Sequence, residues 1–117
     1  MFEPSIQRYG EKQILRLDFT GLTPRELADA VELASKRVRG EPPHSVRVLS
    51  ILTTGLGTES LEAFRRCALQ HVSHILASAF VASSFWKVII TDLQTHGRED
   101  IQIFEDERDA IAWLTSQ

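Results

Sequence analysis

Apolar and polar residues along this chain follow two periods, which predict strands that alternate with helices. Residues 14–19 alternate, with apolar side chains at positions 15, 17 and 19 on one face and charged side chains at positions 16 and 18 on the other, as in a half-buried strand. Residues 6–9 form a shorter strand candidate, and a turn at residues 10–12 would join the two strands into an N-terminal hairpin. The alternating positions are Leu15, Leu17 and Phe19 against Arg16 and Asp18.

The first predicted helix has clear start and stop signals. Thr23 is a favourable N-cap, Pro24 suits the first helical position, and Glu26 completes a capping box. Gly40 ends the helix, and Pro42-Pro43 prevents its continuation. The apolar face between these signals recurs at helical spacing and consists of Leu27, Ala30, Val31, Ala34 and Val38.

The last turn of this predicted helix is basic, since it contains Lys36, Arg37 and Arg39. Cations at a helix C-terminus compensate the helix dipole, and this is the simplest interpretation of the cluster. A surface patch that binds anions is the alternative interpretation.

The stretch at residues 46–72 organises the rest of the chain. Residues 46–54 are apolar on both faces, which is typical of a strand in the middle of a parallel sheet. Gly55-Leu56-Gly57 then allows a tight turn, and residues 58–72 continue as an amphipathic helix. A strand, a glycine-rich turn and a helix N-terminus place hydroxyl and backbone N–H groups at one edge of a sheet, so we expect the functional site there.

The second half of the chain continues the alternation. Residues 75–81 predict a second central strand rich in small side chains, residues 101–104 predict the last strand, and Asp106 caps a final helix. Residues 85–93 are ambiguous because β-branched side chains favour a strand. We predict a helix there, since the parallel strands on either side need a crossover connection. The expected apolar faces are Phe85, Val88, Ile89 and Leu93 in this helix, and Ala110, Ile111, Trp113 and Leu114 in the final one.

The predicted order of elements is β-β-α-β-α-β-α-β-α, which indicates an α/β fold. We predict a five-stranded, mostly parallel sheet with an N-terminal antiparallel hairpin and four helices. The 117 residues are interpreted as one domain, residues 1–117, because their length suits a single core and no linker or repeat interrupts them.

Composition narrows the classes of partner and compartment. A formal net charge of −3 provides no basic footprint for nucleic acid. The single cysteine, Cys67, excludes an internal disulfide and fits a reducing compartment. No apolar run approaches the ~18 residues of a membrane span, and the first residues do not resemble a signal peptide. We therefore expect a cytoplasmic protein.

The glycine-rich turn resembles the signature of STAS domains, which occur in bacterial anti-sigma-factor antagonists and in the tails of sulphate transporters. In that signature an acidic residue and two small hydroxylated residues precede Gly-Leu-Gly, and the second hydroxyl is the phosphorylation site of the antagonists. Thr53 and Thr54 occupy the hydroxyl positions here, Gly55 and Gly57 follow, and Leu52 occupies the acidic position.

Two further segments, residues 14–22 and 103–114, resemble small bacterial STAS-like proteins that are grouped with the CRAL-TRIO lipid-binding fold. This resemblance covers nearly the whole chain. It implies a STAS-like fold and a regulatory protein-interaction module that phosphorylation at the Thr53-Thr54 turn would switch.

The candidate residues for modification or partner binding are the hydroxyls and glycines of this region: Ser50, Thr53, Thr54, Gly55 and Gly57. A phosphoryl group at a helix N-terminus would be stabilised locally, while its charge would repel a docked partner. The alternative is that the two threonines only cap the helix.

No catalytic site, cofactor or metal site is predicted. Cys67, His71 and His74 lie on one flank of the predicted second helix, but structural zinc needs four ligands and no second cluster supplies them. Nucleophile-elbow and P-loop spacings are absent from the sequence, so we interpret the protein as a non-enzyme. Asp18 is the one acid of interest, and an exposed strand position is its simplest interpretation.

Two functional classes therefore fit the sequence. The first is the regulatory module, with an interaction surface at residues 54–66 and a protein partner still to be identified. The second is a carrier or sensor of a small apolar or lipid ligand in a CRAL-TRIO-like pocket near Phe80, Phe85 and Trp86, although aromatic residues at helical spacing usually form core. The sequence leaves the oligomeric state open, a homodimer included.

Overall fold

The computed structural model describes residues 4–52, 74–82, 84–95 and 100–117. Five strands form one sheet in the order β1-β2-β3-β4-β5. β1 pairs with β2 in antiparallel fashion, and every other neighbouring pair is parallel. The predicted mixed sheet with one antiparallel hairpin is thereby confirmed. The strands are β1 Ser5–Tyr9, β2 Lys12–Asp18, β3 Val46–Leu52, β4 Ile75–Ala82 and β5 Ile101–Phe104.

Three helices lie within the described part of the chain: α1 Pro24–Arg39, α2 Ser84–Thr95 and α3 Glu107–Thr115. The ambiguous segment is the helix α2, as the need for a crossover between parallel strands predicted. The helix predicted at residues 58–72 falls outside the described residues.

One side of the sheet, here called the large face, packs against α1 and α2. Alternate residues of β2 and β3 point to this side and form one core cluster with the apolar face of α1. The capping box of α1 is confirmed: Thr23 Oγ1 accepts from Glu26 N at 3.2 Å, and the Glu26 carboxylate accepts from Thr23 N at 2.9 Å. The core members on this side include Leu15, Leu17, Phe19, Leu27, Ala30, Val31, Ala34, Val38, Val48, Leu52, Phe80, Trp86 and Ile90.

The opposite side of the sheet, here called the small face, packs against α3. Two of its buried core residues in the sheet are alanines of β4, which lets a helix approach closely there, and the four are Ile14, Leu49, Ala77 and Ala79. Ala110 and Leu114 are the buried residues of α3. Asp106 caps this helix as predicted, since its Oδ1 accepts from Asp109 N at 2.9 Å.

The rotation of α2 about its own axis differs from the prediction. Val88 was expected on the apolar face, but it is 73% exposed, whereas Trp86 and Ile90 are fully buried. Apolar residues occur on nearly every side of this helix, so the local pattern does not determine which side faces the sheet. The contact with the large-face core determines it instead.

Candidate functional site

The carboxyl ends of β2 and β3 meet at one edge of the sheet, where the sequence predicts the site. Asp18, the last residue of β2, is in register with Ile51 of β3. Phe19 N then donates to Ile51 O at 3.0 Å, which holds the start of the following loop against β3. Gly21 adopts φ +79°, a conformation that favours glycine, and the loop continues to the N-cap of α1. Residues 18–21 therefore line the edge at which β3 ends.

The predicted glycine-rich turn, with Thr53, Thr54, Gly55 and Gly57, lies outside the described residues. It follows Leu52 directly in the chain, and Leu52 is the last residue of the central strand β3. The Leu52 side chain is fully buried in the large-face core. An ionised carboxylate at such a position would need a buried partner, so an apolar residue there fits its surroundings.

Ser50 lies inside β3, on the large face of the sheet. It is in register with Leu17 on one side and Phe80 on the other, and it is 4% exposed. A partner or a modifying enzyme can reach this hydroxyl only if the helical layer over it opens. A role for Ser50 in modification stays a prediction.

The described edge contains a cluster of three charged groups on the small face. Arg16 contacts Glu107 of α3 with two donors, Nε to Oε1 at 2.7 Å and Nη2 to Oε2 at 3.3 Å. Arg16 Nη2 also lies 3.6 Å from Asp18 Oδ2. All three side chains are partly exposed, and the hydrogen bonds to Glu107 raise the pKa of Arg16. The arginine thus links the end of β2 to the first turn of α3.

Asp18 is charged at neutral pH. Partial burial acts to raise the pKa of Asp18, but two effects outweigh it: hydrogen bonds from Thr20, whose N lies 2.9 Å from Oδ1, and the charge of Arg16. The net result is a pKa below the ordinary value. Alternation along β2 already puts Arg16 and Asp18 on one face. Nothing in the local sequence pattern identifies Glu107 as their third partner.

Two of the three candidate pocket aromatics, Phe80 and Trp86, belong to the core of the large face. Trp86 is fully buried, Phe80 is nearly so, and both are members of one cluster with residues of α1 and β2. Phe85 lies beside Trp86 in the first turn of α2. A groove of about 60 Å³ does occur among the described residues, but it lies beside β1 and its lining does not include these aromatics.

The three candidate metal ligands are described only in part. Cys67 and His71 lie outside the described residues. His74 Nδ1 lies 3.0 Å from the main-chain oxygen of Glu41, and because a carbonyl only accepts, Nδ1 carries the hydrogen there. Within the described ranges, no three His, Cys, Asp or Glu side chains are grouped to hold a metal ion. None of the helices that the structure describes has the length and apolarity to span a bilayer.

A five-stranded mixed sheet with helices on both faces, whose central strand leads into Thr-Thr-Gly-Leu-Gly, defines a STAS-type domain. A family model described as SpoIIAA-like matches residues 14–115, and the chain belongs to that family. No curated protein matches the chain.

One solved structure with this fold is an uncharacterized protein of the DUF3478 family from Shewanella loihica PV-4, described as having a SpoIIAA-like fold. It is 20% identical to this chain with a TM-score of 0.75, and the match covers 97% of this chain and 93% of that one. At this identity the likeness supports the fold and leaves the function to be argued from the site.

Proposed function

We propose that this protein is a non-enzymatic regulatory module of the cytoplasm that binds a protein partner at the carboxyl edge of its sheet. The whole of residues 1–117 would act as one domain. Two observations support the proposal: the chain belongs to the SpoIIAA-like family, and in its sequence Thr53-Thr54 directly follows Leu52, the last residue of the central strand β3.

Phosphorylation of Thr54 would change the charge of this edge. The threonine oxygen would attack the γ-phosphorus of a nucleoside triphosphate, lose its proton and release the diphosphate, in a step that a partner kinase catalyses. The product adds roughly −1.5 to −2 charges at pH 7. Asp18 already carries a negative charge at this edge at pH 7, as an ordinary aspartate does, and its lowered pKa keeps it charged to more acidic pH. A partner with an acidic contact surface would be repelled.

The described charges support binding rather than catalysis. Asp18 and Glu107 both contact Arg16, and Asp18 also accepts from Thr20. A carboxylate with a lowered pKa is a poor general base at neutral pH, because an effective base has a pKa near the working pH. The cluster therefore fits a role in fixing the edge.

The packing of the aromatics favours the module over a lipid carrier. Trp86 and Phe80 fill the large-face core beside residues of α1 and β2. A ligand there would have to displace packed side chains. A lipid that co-purifies with the native protein, detected by mass spectrometry, would instead support the carrier.

The test compares two variants that each add one negative charge. Thr54→Glu alters the proposed switch, whereas Thr91→Glu alters an exposed position in the middle of α2. Immobilised wild-type protein and both variants are challenged with extract from the source cells, and the retained proteins are quantified. We expect one partner to be retained by wild type and by Thr91→Glu, and about tenfold less by Thr54→Glu, a loss of about 1.4 kcal/mol.

Thermal unfolding of the same proteins separates binding from stability. We expect Thr54→Glu to melt close to wild type, because backbone N–H groups at a helix start tolerate added negative charge. Equal retention by all three proteins would contradict the proposal. Intact-mass measurement on native protein shows whether Thr53 or Thr54 is modified. We expect an unmodified mass, since Leu52 replaces the acid of the STAS signature.

A further inference from the structure

The outer edge of β1 is a row of backbone groups available to another strand. β1 is the first strand of the sheet order and, within the described residues, pairs with β2 alone. The two strands join through a two-residue turn in which Gly10 has φ +68°, as a type II′ turn requires. In such a hairpin the flanking pair Tyr9 and Lys12 is hydrogen-bonded, and bonded pairs then alternate. The N–H and C=O groups of Ile6 and Arg8 therefore point outward.

A groove runs beside this edge on the large face. Ile6 is 49% exposed there, although its neighbour in register, Leu15, is buried. The groove lies between β1 and the end of α1, and its volume of about 60 Å³ is suited to one short side chain. Small-molecule pockets are typically several-fold larger, about 300 Å³ or more. Its apolar lining comes from Ile6, Leu15 and Val46, and its charged lining comes from Arg37, Glu41 and Arg47.

The surroundings of the groove are cationic in a chain whose net charge is negative. Arg37 pairs with Glu41, and Arg47 is in register with Ile14 of the small face, where its Nη2 donates to Gln117 O at 2.7 Å. Arg8 is exposed and shares the large face with Ile6, since both have even positions along β1. Lys36 and Arg39 are exposed in the same last turn of α1 as Arg37. The exposed cations near the groove are therefore Arg8, Lys36 and Arg39, and they are the charges that an acidic partner would meet.

We propose that the edge of β1 and this groove bind an extended, acidic segment of a partner protein by strand addition. Main-chain hydrogen bonds to Ile6 and Arg8 would hold the segment, and alternate side chains would provide selectivity. An aliphatic side chain opposite Ile6 covers its exposed surface, and a carboxylate opposite Arg8 forms a cross-strand charge pair. This surface is separate from residues 18–21 at the carboxyl ends of the strands. The proposal therefore does not depend on the function proposed above for that site.

A second copy of the chain is a less suitable occupant of the same edge. A two-fold axis would bring the same basic surface of each copy together, so Arg8 and the basic turn of α1 in one copy would lie near those of the other. Like charges brought close together repel each other. The charge of the edge therefore favours an acidic partner.

The probe for this surface is a synthetic nine-residue peptide, Val-Thr-Glu-Thr-Val-Thr-Glu-Thr-Val, with both ends blocked. In a strand, its valines and glutamates share one side. Binding is followed by amide NMR shifts of the full chain, and the control peptide has Lys at both Glu positions. We expect shifts at residues 5–9 and affinity about tenfold above that of the Lys peptide.

Three variants identify the contacts. Ile6→Pro removes an outward N–H without removing a bond to β2, since proline is tolerated at such edge positions. Arg8→Glu reverses the charge opposite the peptide glutamate, and Arg108→Glu is the matched control, an exposed cation on α3. We expect about tenfold weaker binding for the first two variants and none of this loss for Arg108→Glu. Thermal melts and the NMR spectra verify that each variant is folded.

Several outcomes would overturn the proposal. Equal affinity for both peptides would show that charge does not contribute to binding. Shifts centred on residues 18–21 would place the binding surface at the carboxyl ends of the strands instead. No shift at about 1 mM peptide would mean no strand addition of useful strength. A dimer in sedimentation that Arg8→Glu or Ile6→Pro dissociates would assign the edge to a second copy.

Discussion

The two faces of the sheet are closed in different ways. On the large face, α1 and α2 contribute long apolar side chains to a core that extends across all four parallel strands. On the small face, within the described residues, the nine-residue helix α3 buries Ala110 and Leu114 against Ile14, Leu49 and two alanines of β4. The free energy that burial provides is roughly proportional to the buried apolar area. The described contacts on the small face therefore contribute less free energy than those on the large face. Polar contacts at both ends of α3 add to that limited burial.

These polar contacts attach α3 to the N-terminal half of the chain. At its first turn, Glu107 pairs with Arg16 of β2. At the C-terminal end of α3, Lys12 Nζ donates to the main-chain oxygen of Thr115 and, at 3.0 Å, to that of Gln117. Arg47 Nη2 also donates to Gln117 O, at 2.7 Å. The comparison shows a second way to hold a helix on a sheet: α3 packs closely over alanines, and polar contacts bind both of its ends to β2 and β3.

The largest expected effect comes from one substitution made on each face. Leu27 on α1 and Leu114 on α3 are both buried, so Leu27→Ala and Leu114→Ala remove the same atoms from the two cores. Each should lower the free energy of unfolding by about 2–5 kcal/mol, measured by urea denaturation. Hydrogen exchange should distinguish them, because α3 has few other buried contacts and can open locally.

In Leu114→Ala we expect faster exchange confined to residues 107–115, whereas Leu27→Ala should accelerate exchange across the sheet. A uniform change over all protected amides in Leu114→Ala would contradict the distinction between the faces. It would show that α3 unfolds only with the whole domain.

A smaller effect is expected from the ion pair at the start of α3. Glu107→Gln keeps the shape of the side chain but removes the charge that pairs with Arg16. Both side chains are partly exposed, so solvent screening limits the loss in unfolding free energy to about 0–1 kcal/mol. The loss should shrink in high salt. Glu11→Gln, in the exposed β1–β2 turn, is the control, and an equal loss there would assign the effect to net charge.

The smallest expected effect is a change in how the free energy of unfolding decreases at acid pH. Asp18 has a lowered pKa in the folded protein, so its stabilising contribution is present above its unfolded pKa and is lost as the pH falls through the folded value. Because the side chain is partly exposed, we expect only a few tenths of a kcal/mol. Asp18→Asn should remove that part of the pH dependence below pH ~4. An NMR titration that places the Asp18 pKa at or above ~3.9 would refute the assignment.

The elements with strong local signals were predictable from the sequence. Alternation at residues 15–19 has one simple interpretation, and the capping box at Thr23 and Glu26 marks the start of α1 without tertiary information. The helix α2 needed the topology of parallel strands, because its β-branched residues favour a strand. Its orientation, with Val88 outward, depends on the shape of the core beneath it.

The candidate site was predictable only in part. Parallel strands bring their carboxyl ends together, so the position of the edge follows from the order of elements. The Arg16–Glu107 contact joins residues 91 positions apart, and no periodic pattern encodes such a pair. The groove beside β1 arises because α1 leaves Ile6 partly uncovered, which depends on where the helix lies on the sheet.

The attachment of α3 to β2 has a consequence for synthesis of the chain. Lys12 and its acceptors are separated by 103 and 105 positions, so this contact can form only after the whole sheet has been synthesised. A ribosome adds roughly 5–20 residues per second. Until residues 107–117 have left the exit tunnel, α3 cannot cover Ile14, Leu49 and the alanines of β4. A chaperone that binds this apolar surface of a nascent chain would be released when α3 docks.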